Sequence, residues 1–272
     1  MSKWTRYRSL IIEFFVVFNM SFLALDIFIA HSTNGFSHPA EWIPFYFSLI
    51  APLLLIVELG LNWNRKEQRH RLIGFLVGSF SSVVGIAGLL WHLQGSFFEF
   101  QTLKSLVYTA PFIAPLAYTG LGCILIMNRM EKQDGMVWSQ WLIFFGLGGF
   151  FGNFVLALSD HAQNGFFLLA EWIPVISSAI AVGFLGTVLL RKCSYRFIEL
   201  CIAIMVLQAF VGALGFYFHG ITVTRGLSSS FFENLIYTAP IFAPLLFVNL
   251  AFLSGFGLLG VRYILIQNSE VS

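Results

Sequence analysis

Charge is what this sequence has least of. Lys, Arg, Asp and Glu make up 10% of its 272 residues, whereas a soluble domain carries about 25%. With 58% hydrophobic residues and a mean hydropathy of +0.82, most of the surface cannot face water. A net charge of +2 leaves no basic excess for a nucleic-acid partner. Cysteine is scarce too. Cys123, Cys193 and Cys201 show no CxxC spacing, and the topology below places all three toward the cytoplasm. A disulfide framework is therefore not expected, and the three read as small apolar packing residues. HExxH and GxSxG are absent. The glycine-rich run Gly146–Gly152 lies inside an apolar span and reads as helix packing rather than a phosphate loop. No connection is long enough to fold as a soluble domain, so the function has to reside in membrane helices and their rims.

Long apolar runs are what the sequence has in abundance. A span needs about 20 apolar residues, and eight segments qualify, at about 9–30, 42–61, 72–93, 105–127, 138–159, 172–190, 197–218 and 235–261. The expected fold is an all-α polytopic membrane protein in contact with the lipid bilayer. Lys3, Arg6 and Arg8 before the first run resemble the basic start of a signal peptide. That run is long enough to span and carries Glu13 and Asp26, and its counterpart in the second half is internal, so it reads as a retained helix.

The chain is one unit written twice. His31-Ser-Thr-Asn-Gly-Phe-Ser-His-Pro-Ala-Glu-Trp-Ile-Pro44 and His161-Ala-Gln-Asn-Gly-Phe-Phe-Leu-Leu-Ala-Glu-Trp-Ile-Pro174 agree at nine of fourteen positions. Leu106-Val-Tyr-Thr-Ala-Pro-Phe-Ile-Ala-Pro-Leu116 and Leu235-Ile-Tyr-Thr-Ala-Pro-Ile-Phe-Ala-Pro-Leu245 agree at eight of eleven. Two sets of four helices, 1–134 and 135–272, have the same membrane orientation, which makes a parallel repeat about a pseudo-twofold axis along the membrane normal. Thirteen of the fifteen basic residues fall on one side, and only Lys104 and Arg225 fall on the other. Both termini are therefore expected in the cytoplasm, in an inner-membrane protein.

The paired prolines in the fourth and eighth spans predict kinked helices. The carbonyls they free must be buried in protein or line a cavity. Packing is the plainer reading of those kinks and ligand lining the sharper one.

Polar chemistry is expected at the outward ends. His31 and His161 close the first helix of each half, Glu41 and Glu171 open the second, and His92 and His219 close the third. Imidazoles with carboxylates suit zinc, iron, copper or manganese. Asn34, Asn164, Tyr108 and Tyr237 are candidate lining residues, and Asp26 and Asp160 candidate acceptors that orient the rings. Haem ranks lower, because all four histidines lie at one leaflet. The same motif also reads as a repeated loop capping a repeated helix, with Gly35 and Gly165 supplying positive φ and a glutamate favoured by the helix dipole. Two further functions compete with a metal site. One is a non-catalytic subunit packed against other membrane subunits. The other is a small-solute transporter, which midplane polarity supports weakly.

Overall fold

The computed structural model describes residues 3–62, 71–132 and 135–271. All regular structure among them is helical. The helices are α1 (Lys3–Ser32), α2 (Trp42–Asn62), α3 (Arg71–Gln94), α4 (Ser96–Phe100), α5 (Leu103–Val107), α6 (Leu116–Met130), α7 (Met136–Gln163), α8 (Trp172–Leu190), α9 (Tyr195–Thr224), α10 (Phe231–Tyr237) and α11 (Leu245–Val271). Short 3-10 turns, Pro39–Glu41 and Leu169–Glu171, lead into α2 and α8. The basic loop with Arg65, Lys66, Arg69 and His70, and the repeat boundary at Gln133 and Asp134, lie outside the described residues.

Among the described residues, seven helical segments are long and apolar enough to cross a membrane. The chain is therefore a multi-pass membrane protein. Large apolar side chains stand outward along these helices: Phe18 is 65% exposed, Leu53 63%, Phe80 63% and Phe210 67%. Rows of this kind are unfavourable in water and favourable against lipid tails.

The fourth and eighth spans differ from expectation. A proline removes an amide donor, and its ring collides with the carbonyl one turn back. It also pushes the preceding residue out of the helical region. Two prolines four apart disable two successive turns, so the chain leaves the helix instead of bending it. Helix resumes only after the second proline, at Leu116 and at Leu245. Across the first break the backbone makes turn bonds such as Ala114 N–H to Pro111 O at 3.2 Å, and where the second break rejoins α11 Phe247 N–H bonds to Pro244 O at 3.1 Å. What remains of the fourth span is α6, with 15 residues. At 1.5 Å per residue it reaches about 22 Å, short of a hydrocarbon core of about 30 Å. The eighth span keeps 27 residues in α11.

The described chain forms two compact units that interleave in sequence. The first comprises 1–86, 118–133 and 218–242, and the second 87–117, 134–217 and 243–272. The first unit buries Ile12, Val16 and Met20 of α1 with Leu55 of α2 and Leu121 and Leu125 of α6. The second has a continuous core of Ile143 and Phe150 (α7), Ala181 and Leu185 (α8), Ile198 and Met205 (α9), and Phe247 and Leu258 (α11).

Candidate functional site

The repeated His-x-x-Asn-Gly-Phe segment is first of all a helix terminus. At the end of α1, Phe36 N–H bonds to His31 O at 3.0 Å and Gly35 N–H to Ser32 O at 3.2 Å. At the end of α7, Phe166 N–H bonds to His161 O at 3.1 Å and Gly165 N–H to Ala162 O at 3.1 Å. These paired bonds make a Schellman cap, which needs a left-handed residue just past the helix. Gly35 has φ 67° and Gly165 φ 70°. Phe36 and Phe166 are left-handed as well, with φ 54° and 52°.

The phenylalanine then closes the cap sterically. Phe36 lies 5.7 Å from the His31 ring and stacks on Trp42 at 4.2 Å. Phe166 lies 6.2 Å from His161 and stacks on Trp172 at 4.1 Å. The recurring His, Gly, Phe and Trp thus have a shared structural cause. His38, which lacks a counterpart in the second half, caps the 3-10 turn by accepting from Ala40 N–H at 3.2 Å.

The glutamates are not fully accounted for by capping. Asn34 Nδ2 donates to Glu41 Oε1 at 2.8 Å, and His31 Nδ1 lies 3.6 Å from Glu41 Oε2. Glu41 Oε2 and Glu171 Oε2 are nevertheless buried atoms without a hydrogen-bond partner. Tyr108 and Tyr237 are exposed, at 59% and 67%.

His92 and His219 serve the broken helices. His92 Nδ1 lies 3.0 Å from Pro111 O, and His219 Nδ1 lies 2.8 Å from Pro240 O. A carbonyl only accepts, so each ring donates from Nδ1. The first proline of each break thus finds its partner at the end of the preceding long helix. Gly88 and Gly215, one turn earlier, meet the second prolines: a Cβ on either would fall 2.7 Å from Pro115 Cβ or 2.8 Å from Pro244 Cβ.

The two units apportion the candidate ligands. His31, Glu41 and His219 belong to the first unit, and His161, Glu171 and His92 to the second. Among the described residues, no three His, Cys, Asp or Glu side chains stand close enough together to hold a metal ion.

A different polar cluster escapes the sequence reading. In the first unit, Arg129 donates to both oxygens of Glu13, at 2.8 and 3.2 Å, and to Glu58 Oε2 at 2.7 Å. Asn128 Nδ2 adds bonds to Glu13 Oε1 at 3.0 Å and Ser9 Oγ at 3.2 Å. Arg129 is 7% exposed, Glu13 6% and Glu58 3%. The signal was present: two glutamates stand inside otherwise apolar runs, where an ionised side chain requires a partner. In the second unit, Ser177 Oγ donates to Gln208 Oε1 at 2.6 Å. Asn153 Nδ2, Gln208 Nε2 and Ser254 Oγ there are buried without a hydrogen-bond partner.

No protein-family model matches the chain, and no curated protein or solved structure matches it.

Proposed function

We propose that the protein is an eight-crossing membrane protein of two parallel four-helix repeats. In this reading the α5, break and α6 sequence counts as the fourth crossing, both termini are cytoplasmic, and the outward half handles a small polar solute in transport. The observation that carries this reading is the pair of helix breaks at Thr-Ala-Pro. They occur at corresponding places in the two halves, and in each the first proline's carbonyl is taken by a histidine ring. Backbone outside a helix at membrane depth is tolerated only where protein buries it or water reaches it. Proline-interrupted segments at matching places in two repeats mark solute sites in transporters.

Thiol accessibility tests this reading. In a variant lacking Cys123, Cys193 and Cys201, Ala110→Cys and Ala239→Cys should react with a membrane-impermeant maleimide added outside intact cells. Folded protein in which both positions stay unreactive from either side would mean a purely structural break.

A second reading keeps a transition metal (zinc, iron, copper or manganese) on His31 with Glu41 and on His161 with Glu171. The buried Oε2 atoms of the two glutamates, which lack a hydrogen-bond partner, favour it. Two donors per set support only weak binding. Metal analysis of purified protein, with Glu41→Ala/Glu171→Ala as the comparison, decides it. Equal metal content in the two proteins removes this reading.

A further inference from the structure

In the second unit, the end of α7 and the break after α5 enclose a small cleft. Ser159, Asp160 and Gln163 line it from α7, and Thr109 and Pro111 line it from the break. It has room for about one water-sized body. The two hydroxyl protons around it, and one amide proton of Gln163, are committed elsewhere. Thr109 Oγ1 donates to His92 O at 2.5 Å, Ser159 Oγ to Val155 O at 2.8 Å, and Gln163 Nε2 to Val107 O at 2.7 Å. The two hydroxyls therefore present the cleft with lone pairs only. The Asp160 carboxyl has no hydrogen-bond or ion-pair partner among the described residues. A largely buried carboxylate in that position is costly until a cation or a proton joins it.

We propose that this cleft binds a small monovalent metal cation of sodium size, held by the Asp160 carboxylate and the hydroxyl oxygens of Thr109 and Ser159. Its side-chain oxygens, one of them anionic, disfavour an anion and suit a hard cation, and the rest of the lining is largely apolar. One carboxylate matches a single positive charge, and the size of the cleft excludes an organic solute. Unwound backbone beside a carboxylate is also where transporters hold coupling ions. The position that corresponds to Asp160 in the first half is Ala30, so the site belongs to the second unit alone. The proposal deepens the transport reading and rests on it for its role.

The test uses the full-length protein in detergent. Its thermal midpoint is followed as sodium chloride replaces choline chloride at constant ionic strength, alongside direct binding of radioactive sodium. A saturable, sodium-specific rise is expected in the wild type. Asp160→Asn should abolish it, and Thr109→Val, which keeps the shape and removes the oxygen, should weaken sodium roughly tenfold, about 1.4 kcal/mol. Equal responses to sodium and choline, or a sodium response unchanged in either variant, overturn the proposal. Sodium binding together with unreactive Ala110→Cys and Ala239→Cys would leave the ion site and remove the transport reading. Reactive cysteines without a sodium response would do the reverse.

Discussion

Single residues carry more of this structure than their chemistry alone suggests. Gly35 and Gly165 occupy left-handed positions that close their helices. Alanine at either should cost about 1 to 2 kcal/mol, read as unfolding free energy in detergent. Gly183, inside α8 with open space around it, should tolerate alanine without loss. The buried Arg129 network predicts a larger effect. Arg129→Gln strands two carboxylates and should cost about 3 to 5 kcal/mol. By contrast, Arg262→Gln breaks a pair whose side chains are 39% and 44% exposed, and it should cost about 0 to 1 kcal/mol. Denaturant titration of the two variants side by side checks the order. Arg129 could be counted from the sequence as a positive charge at a helix end. That it lies between Glu13 and Glu58 required α1, α2 and α6 to be brought together.

At the scale of elements, the two helix breaks are held in the same way. His92→Ala and His219→Ala each remove one bond to a proline carbonyl and should cost about 1 kcal/mol apiece. Gly88→Ala and Gly215→Ala force a methyl group against a proline ring and should cost about 1 to 3 kcal/mol each. Thermal midpoints of the four variants test both claims, and a large loss in one half with none in the other would show that the breaks are not held alike. The prolines made a disturbance of the fourth and eighth spans legible in the sequence. Its extent was not. A single proline kinks a helix, whereas a second one turn later removes the bonds that would re-form it, and the histidines supply the alternative. The Schellman caps were half legible: Asn-Gly signalled a turn, but the paired bonds from Phe36 and Phe166 back to His31 and His161 appear only in three dimensions.

For the whole molecule, orientation is the first thing to measure. The distribution of Lys and Arg predicts that Cys193 faces the cytoplasm. Maleimide should then label it in inverted vesicles and not in intact cells, and the opposite pattern would invert the topology. Burial pushes the Cys193 thiol up, and its Sγ lies 3.6 Å from Arg191 O, a contact that favours the protonated form. Labelling should therefore be slow at neutral pH and accelerate as pH rises above the ordinary thiol range, because only the thiolate reacts.

The order of residues alone determined that this chain crosses a bilayer several times, that two of its segments recur, and where most of its long helices run within a few positions. Those properties follow from apolar run length, recurrence and turn chemistry, which are local. Tertiary structure decided which polar groups meet. It assigned His92 and His219 to proline carbonyls, joined Arg129 to Glu13 and Glu58, and left Asp160 alone in a cleft. Hydrogen bonds and ion pairs between distant segments depend on helix rotation and depth, and in a sequence this apolar few polar positions constrain either.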